Sequence, residues 1–244
     1  MQMLRVQDLV ADNDKAPLLT GRAKPAPARP RPLARTAPAV PVGRLAKRAL
    51  DVGLALLGIL LLLPLILGLV ATLKLMDPGP VLYGHRRIGF GGREFRCWKF
   101  RTMVVDGDAV LERHLRENPA DAAIWKDQRK LVNDPRVTRL GAVLRKLSLD
   151  ELPQLLNVLT GEMSLVGPRP VVRAELDHYG PSARHYLAAR PGLTGLWQIS
   201  GRSDTTYAER VRLDRFYVMT WTLWRDLRII LLTIPAVALS RGAH

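Results

Sequence analysis

The sequence predicts an α/β-mixed, mostly helical protein, in which an apolar membrane segment, either a re-entrant helix-break-helix or a kinked single span, is followed by a compact domain with a small β-hairpin and interfacial amphipathic helices. Two observations support this prediction. Uncharged apolar residues fill the chain from Val52 to Leu73, whereas residues 1–46 contain few bulky apolar side chains. The remaining part of the 244-residue chain is polar enough to be globular. The sequence therefore divides into three regions, 1–46, 47–76 and 77–244.

The charge balance predicts a polyanionic partner. The chain carries 37 Lys and Arg residues against 22 Asp and Glu residues, a formal net charge of +15. Nucleic acid, anionic lipid and phosphorylated substrates all fit such an excess. The single cysteine, Cys97, excludes an intramolecular disulfide and a cysteine-based zinc site, and no H-E-x-x-H motif is present. Any metal is therefore expected to be a hard cation, Mg²⁺ before Zn²⁺.

Residues 1–46 are rich in Pro, Ala and Arg. Such a segment has too little apolar surface to offset the entropy lost on ordering, so it is predicted to be a disordered basic tail. A weak attraction to anionic lipid headgroups is the only function that its composition suggests.

The apolar run within 47–76 is about 22 residues long, which is sufficient to cross a hydrocarbon core. Pro64 lies in its middle and is expected to kink or break the helix, because proline removes one backbone hydrogen bond and clashes with the preceding turn. Basic residues flank both ends of the run, which favours a cytoplasmic position for both ends. A re-entrant helix and a kinked single span both remain open on these residues.

The region 77–244 begins with a turn at Asp77-Pro78-Gly79-Pro80. The next residues predict a β-hairpin with its turn at Gly91-Gly92, since the glycines match no phosphate-binding loop pattern. Helical patterns follow at 106–127 and 137–147, separated by a break at 133–136.

The stretch from Ser148 to Gly161 contains two adjacent carboxylates, Asp150 and Glu151, ahead of an apolar helical stripe that ends at the glycine. One interpretation is capping, with Ser148 and Glu151 as a capping box or Asp150 as the N-cap before Pro153. The other is chemical: an ionised Asp near arginines can attack phosphorus while its neighbour holds a metal ion.

Two further segments carry candidate residues. Arg169 lies between two prolines, a rigid mount suited to binding phosphate, although a rigid turn with a solvated arginine fits as well. Arg190 opens a similar loop that contains Trp197. Near the C-terminus, Tyr, Trp and Arg residues accompany an apolar segment, which predicts an amphipathic helix at the membrane surface, with a core helix as the alternative.

Several motifs occur in an order that resembles the bacterial monotopic phosphoglycosyl transferases, also called the bacterial sugar transferase family. They are KRALD (47–51), the apolar run with its central proline, KFRTM (99–103), NDPRVTRLG (133–141), LRKLSLDELPQL (144–155), MSLVGPRP (163–170) and RPGLTGLWQ (190–198). The resemblance covers about residues 45–240. Many members have Ser before the breaking proline, where this sequence has Leu63, so the break depends more on Pro64 itself.

The resemblance implies transfer of a sugar 1-phosphate from a UDP-sugar, glucose or galactose being expected, to undecaprenyl phosphate, with release of UMP. This would be the first membrane step of exopolysaccharide or glycan assembly. Asp150 is then the nucleophile that forms an aspartyl-phosphosugar, with Glu151 beside it and both residues holding Mg²⁺. The basic residues expected near the phosphates are Arg145 and Arg169, with Lys99, Arg101 and Arg190 as further candidates.

The resemblance also implies a location on the cytoplasmic face of the bacterial inner membrane, where a re-entrant helix keeps the catalytic domain (77–244) at the inner leaflet. A homodimer remains open. Two rival functions each fit part of the sequence. A non-catalytic membrane scaffold of a polysaccharide assembly system would make the acidic pair a cap, and a nucleic-acid-binding module would explain the charge but leaves the apolar run unexplained. Nucleic acid is therefore not an expected partner.

Overall fold

The computed structural model describes residues 38, 40–76, 79–128, 131, 133–200 and 206–238. The predicted tail lies largely outside the described residues, as do Asp77 and Pro78 of the predicted turn. Helix α1 (Arg44–Met76) therefore begins within the last residues assigned to the tail. Among the described residues, α1 is the one helix long and apolar enough to cross a membrane.

Helix α1 is continuous over its 33 residues, and Pro64 lies inside it. The predicted break into two helices at Pro64 is thus not present in the backbone. A proline removes one backbone hydrogen bond, and the leucine-rich turns on both sides are good helix formers that maintain the helix. The sequence pattern overestimated the local effect of a single proline.

The two ends of α1 pack against the same domain. Ala55, near the N-terminal end, is fully buried in a cluster that contains Leu155, and Leu73, near the C-terminal end, is buried with Phe100 and Leu144. Between them, leucines on the opposite side are widely exposed, Leu60 at 68%. The helix therefore presents one face to the domain and a broad apolar face to the surroundings.

The predicted β-hairpin is confirmed. Strands β1 (Leu82–Ile88) and β2 (Glu94–Phe100) pair antiparallel, with Tyr83 opposite Lys99. A 3-10 turn connects them, and Gly91 and Gly92 have φ angles of 66° and 82°. These left-handed conformations favour glycine, which explains the glycine pair at the turn.

The helical segments that follow are short and match the predicted positions. They are α2 (Gly107–Glu117), α3 (Pro119–Gln128), α4 (Arg139–Lys146), a 3-10 turn (Leu149–Glu151) and α5 (Gln154–Thr160). The predicted stop at Gly161 is confirmed, because this residue has a φ of 83° and ends α5 with backbone hydrogen bonds to the last turn.

The rest of the chain builds the core around a second small sheet. The elements are β3 (Ser164–Val166), α6 (Arg173–Leu176), α7 (Ala183–Leu187), β4 (Gly192–Thr194), α8 (Leu196–Ile199), α9 (Tyr207–Met219) and α10 (Leu223–Ala238). Strands β3 and β4 are parallel, and Met163, Val166 and Tyr217 lie almost completely buried around them. This sheet positions the loops on either side of it.

Helix α10 combines features of both interpretations of the C-terminal segment. Ile229 is buried in the core, as a core helix requires. Trp224, Leu231 and Ile234 are 75%, 65% and 64% exposed, so an apolar face also points outward. Such a face on a helix with arginines is typical of a membrane-surface helix.

A buried ion pair joins α1 to α10. Lys47 Nζ lies 2.6 Å from Asp226 Oδ2, and both side chains are almost inaccessible to solvent. Asp226 also accepts hydrogen bonds from the Tyr217 hydroxyl (2.6 Å) and Trp221 Nε1 (2.9 Å). Because buried charges are tolerated only when they are paired and hydrogen-bonded, this network orients the start of α1 on the domain.

Candidate active site

Asp150 and Glu151 lie on the 3-10 turn directly before α5. Both capping predictions are wrong. Ser148 adopts a left-handed conformation (φ 55°) and makes no side-chain cap, and the residue at the start of α5 is Pro153 rather than Asp150. The turn between α4 and α5 takes the carboxylates out of the helix, so they are available for other contacts.

Lys99 contacts both carboxylates. Its Nζ lies 2.6 Å from Glu151 Oε1 and 3.3 Å from Asp150 Oδ2. Asp150 is buried, with 6% of its surface exposed, whereas Lys99 and Glu151 each keep about a third of their side chains exposed. The three residues form the acidic site, which is closed on the Asp150 side and open on the Glu151 side.

Opposing effects set the protonation of these groups. Burial raises the pKa of Asp150, and the positive charge of Lys99 acts against that rise. Burial alone would lower the pKa of Lys99, but the charges of Glu151 and Asp150 outweigh it, so its pKa is raised. Lys99 is therefore held as an ammonium ion, and its charge partly opposes the rise in the pKa of Asp150.

Arg145, in the last turn of α4, is brought to the acidic site. Its Nε donates a hydrogen bond to Thr102 Oγ1 at 2.8 Å. Its charge also lowers the pKa of Asp150, although less than Lys99 does. The role predicted for Arg145, binding of a substrate phosphate, stays a prediction.

Arg169 follows β3 in the Pro-Arg-Pro loop, and its guanidinium carbon lies 5.3 Å from the centre of the Trp197 ring. Surrounding protein atoms lower its pKa, Arg210 lowers it further, and Glu151 acts in the opposite direction. The side chain is nevertheless open to solvent. A side chain that is both accessible and surrounded by protein lies in a concave surface, which here adjoins Glu151.

Arg101 and Arg190 contact other parts of the structure. Arg101 lies against Gly79, beyond the C-terminal end of α1. Arg190 Nε donates to the Gly161 carbonyl oxygen at 2.8 Å, and Arg48 donates to the carbonyl oxygens of Val158 and Leu159. Arg190 and Arg48 thus stabilise the C-terminus of α5, at the end opposite to the acidic site.

Asn157 is a residue that the sequence analysis missed. It is completely buried on α5, accepts a hydrogen bond from the Trp98 backbone N–H (3.0 Å) and donates to the Arg96 carbonyl oxygen (2.7 Å). These bonds fasten α5 to β2, and so fix Lys99 relative to Asp150. The available signal was a polar side chain within an otherwise apolar helix.

The acidic site also suits a magnesium ion. Asp150 and Glu151 supply two adjacent carboxylates, and Mg²⁺ is commonly held by one or two carboxylates together with substrate phosphates. The described residues contain no cluster of three or more His, Cys, Asp or Glu side chains that would form a complete protein cage. The donor set thus fits a metal that arrives with a phosphorylated substrate.

Comparison with known proteins gives a consistent result. The bacterial sugar transferase family matches residues 42–240. The exopolysaccharide production protein ExoY of Rhizobium meliloti (strain 1021) is 59% identical over 204 residues, which cover 84% of this chain and 90% of that protein.

Two other relatives carry names that describe a reaction. The undecaprenyl-phosphate galactose phosphotransferase of Salmonella typhimurium is 46% identical over 201 residues, covering 82% of this chain and 42% of that protein. The UDP-glucose:undecaprenyl-phosphate glucose-1-phosphate transferase of Caulobacter vibrioides is 46% identical over 208 residues, covering 82% of this chain and 72% of that protein. With its motifs, acidic site and family match in agreement, the chain belongs to the bacterial sugar transferase family.

Proposed function

We propose that the protein transfers a sugar 1-phosphate from UDP-glucose or UDP-galactose to undecaprenyl phosphate, releasing UMP, as the first membrane step of exopolysaccharide assembly. The observation that carries the proposal is the contact of Lys99 with both Asp150 and Glu151, beside Arg145 and Arg169. The names of the Salmonella and Caulobacter relatives support the acceptor and the two sugars.

In the first step, a carboxylate oxygen of Asp150 attacks the phosphorus atom that carries the sugar. An oxygen–phosphorus bond forms, the bond from this phosphorus to the bridging oxygen breaks, and UMP leaves with the electron pair. Asp150 suits this role because it is the buried member of the pair and Lys99 favours its ionised form.

In the second step, a phosphate oxygen of undecaprenyl phosphate attacks the same phosphorus atom. The bond to Asp150 breaks, so the carboxylate is regenerated and the polyprenyl diphosphate sugar is released. Both steps move charge between phosphate oxygens, and the positive side chains of Arg145 and Arg169 are positioned to stabilise it. No proton has to be supplied in either step.

Asp150 and Glu151 are the residues that would hold Mg²⁺. When bound, this ion supplies neutralisation of the negative charge of the donor diphosphate. The Lys99 ammonium group contacts both carboxylates, at 2.6 Å from Glu151 and 3.3 Å from Asp150, and so holds them towards the same point.

The membrane arrangement belongs to the same proposal. Ala55 and Leu73 are about 27 Å apart along a straight helix, close to the roughly 30 Å thickness of a hydrocarbon core. Both residues nevertheless pack against the same domain. A spanning helix would place them on opposite sides of the bilayer, so these contacts support a path of α1 that does not cross the membrane, with both of its ends and the domain on the cytoplasmic face.

The test is UMP release by the detergent-purified protein with undecaprenyl phosphate, Mg²⁺ and a panel of UDP-sugars. Release with UDP-glucose or UDP-galactose, lost in Asp150→Asn, is the expected result. Asp108→Asn is the matched control, because this substitution removes the same charge from an exposed residue on α2. If no donor in the panel yields UMP, the proposed function is wrong.

A further inference from the structure

Two arginines share one tryptophan beside the acidic site. The guanidinium carbon of Arg169 lies 5.3 Å from the centre of the Trp197 ring, and that of Arg210 lies 5.1 Å from it. Arg210, on α9, is also 5.2 Å from the centre of the Tyr207 ring. The Pro-Arg-Pro loop and α9 thus bring two cations to the same aromatic surface.

These two charges lack a full counter-charge in the protein. Within the part of the chain that the structure describes, neither arginine forms an ion pair, and Nε and Nη2 of Arg210 are buried without a hydrogen-bond acceptor. A buried guanidinium N–H without an acceptor is costly, since the donor has lost its water. The missing acceptor is therefore expected to come from a ligand.

Asp214 is the nearby carboxylate, and it does not neutralise the pair fully. It accepts a hydrogen bond from the Tyr179 hydroxyl at 2.7 Å. Burial raises the pKa of Asp214 to about 7, with that hydrogen bond and the charges of Arg210 and Arg169 acting in the opposite direction. A single carboxylate, even when ionised, offsets only one of the two positive charges.

The chemistry of the site suits a phosphate group. Guanidinium groups bind phosphate oxygens through several parallel hydrogen bonds, and stacking on Trp197 holds their planes in place. The position also matters, because Glu151 is close enough to Arg169 to raise its pKa. An anion held here lies next to Glu151, the chain neighbour of Asp150, which is proposed to attack phosphorus.

We propose that Arg210 and Arg169 together form a binding site for a terminal phosphate group on the Trp197 surface. The identity of the ligand rests on the proposed function, which involves two such phosphates. One is the phosphate of UMP, and the other is the phosphate of the polyprenyl acceptor. In a two-step transfer the leaving phosphate departs before the attacking phosphate arrives, so one site can serve both.

The experiment measures binding by calorimetry, in detergent, of UMP and of a short-chain polyprenyl phosphate. The proteins are wild type, Arg210→Gln, Arg210→Lys and the control Arg212→Gln, an exposed arginine on the same helix. Arg210→Gln is expected to weaken binding of at least one ligand roughly 10- to 100-fold, as expected for loss of a hydrogen bond to a charged group. Arg210→Lys should recover part of this loss, and Arg212→Gln should bind as wild type does.

The outcomes separate the two sources. A loss for UMP alone assigns the site to the donor, a loss for the polyprenyl phosphate alone assigns it to the acceptor, and equal losses assign it to both in turn. Unchanged binding of both ligands by a folded Arg210→Gln protein overturns the proposal. If that protein does not fold, the proposal is overturned either by unchanged binding in Arg210→Lys or by a loss in Arg210→Lys that Arg212→Gln equals. Wild-type protein that binds phosphate through Arg210 but releases no UMP would refute the proposed function and leave this inference standing.

Discussion

Lys99 Nζ lies 2.6 Å from Glu151 Oε1, although 52 residues separate them in the chain. The bond connects the β-hairpin to the turn before α5. Both side chains are about one-third exposed, and partly exposed ion pairs contribute only about 0–1 kcal/mol to stability. We therefore expect this contact to matter for the charge of the acidic site rather than for folding.

Replacement of Lys99 by Gln should move the acidic limb of the pH–rate profile to higher pH. Lys99 opposes the burial that raises the pKa of Asp150, so its removal leaves that pKa higher still. Because only the ionised Asp150 attacks phosphorus, activity is then lost at a higher pH as the solution is acidified. The measurement is kcat/KM for UMP release from pH 5 to 9.

Lys126→Gln is the matched control for the Lys99 variant, because this substitution removes the same charge from an exposed residue on α3. Its profile should follow that of wild type. An acidic limb in Lys99→Gln that coincides with wild type would show that Lys99 does not influence the nucleophile.

Asp150→Asn should abolish covalent labelling of the protein. With a UDP-sugar that carries ³²P on the sugar-linked phosphate, and without acceptor, wild type should retain label. The Asn variant should retain none and should turn over at least about 1,000-fold more slowly, since an amide is a poor nucleophile. Its membrane association should be unchanged, because α1 is intact. Equal labelling of the two proteins would exclude Asp150 as the nucleophile.

Asp226→Asn should destabilise the protein by about 3–5 kcal/mol, because the buried Lys47 ammonium loses the carboxylate that contacts it directly. Thermal unfolding in detergent measures the loss. The double variant Lys47→Met with Asp226→Asn should recover part of the stability, since the ammonium group that lost its partner is then removed as well. Additive losses in the double variant would mean that the two residues do not act as a pair.

Both ends of α1 should be labelled from the cytoplasmic side. Leu45 and Leu75 are each 85% exposed, so single cysteines at these positions can be reached by reagents. The native Cys97 is buried, and burial raises its pKa to about 11, which keeps its reaction slow. A membrane-impermeant maleimide should label both variants in inverted vesicles and neither in intact cells. Labelling of one end in intact cells would demonstrate a spanning helix.

Local chemistry explains which elements could be predicted. The hairpin turn and the end of α5 are local structures that require positive φ angles. Glycine adopts such angles readily, and Gly91, Gly92 and Gly161 supply them. The apolar length of α1 is likewise a property of consecutive residues. The continuity of α1 through Pro64 was missed because one lost hydrogen bond is outweighed by the turns around it.

The site was less predictable. Asp150, Glu151 and Arg145 lie close together in the chain, so their motif indicated their proximity. Lys99 and Arg190 looked equivalent as basic residues in motifs, yet one reaches the carboxylates and the other binds the far end of α5. The difference depends on Asn157, which fastens α5 to β2 and has no counterpart in local sequence rules.

The sequence by itself determined the long apolar helix, the net positive charge and the adjacent carboxylates Asp150 and Glu151 within their motif. Each of these depends on composition or on neighbours along the chain. The tertiary structure alone decided which cations serve that pair. Lys99 is brought to it by the pairing of the hairpin with α5, and Arg210 is brought to Arg169 by the packing of α9 on Trp197. Charge interactions act through space at a few ångströms, and only folding sets those distances.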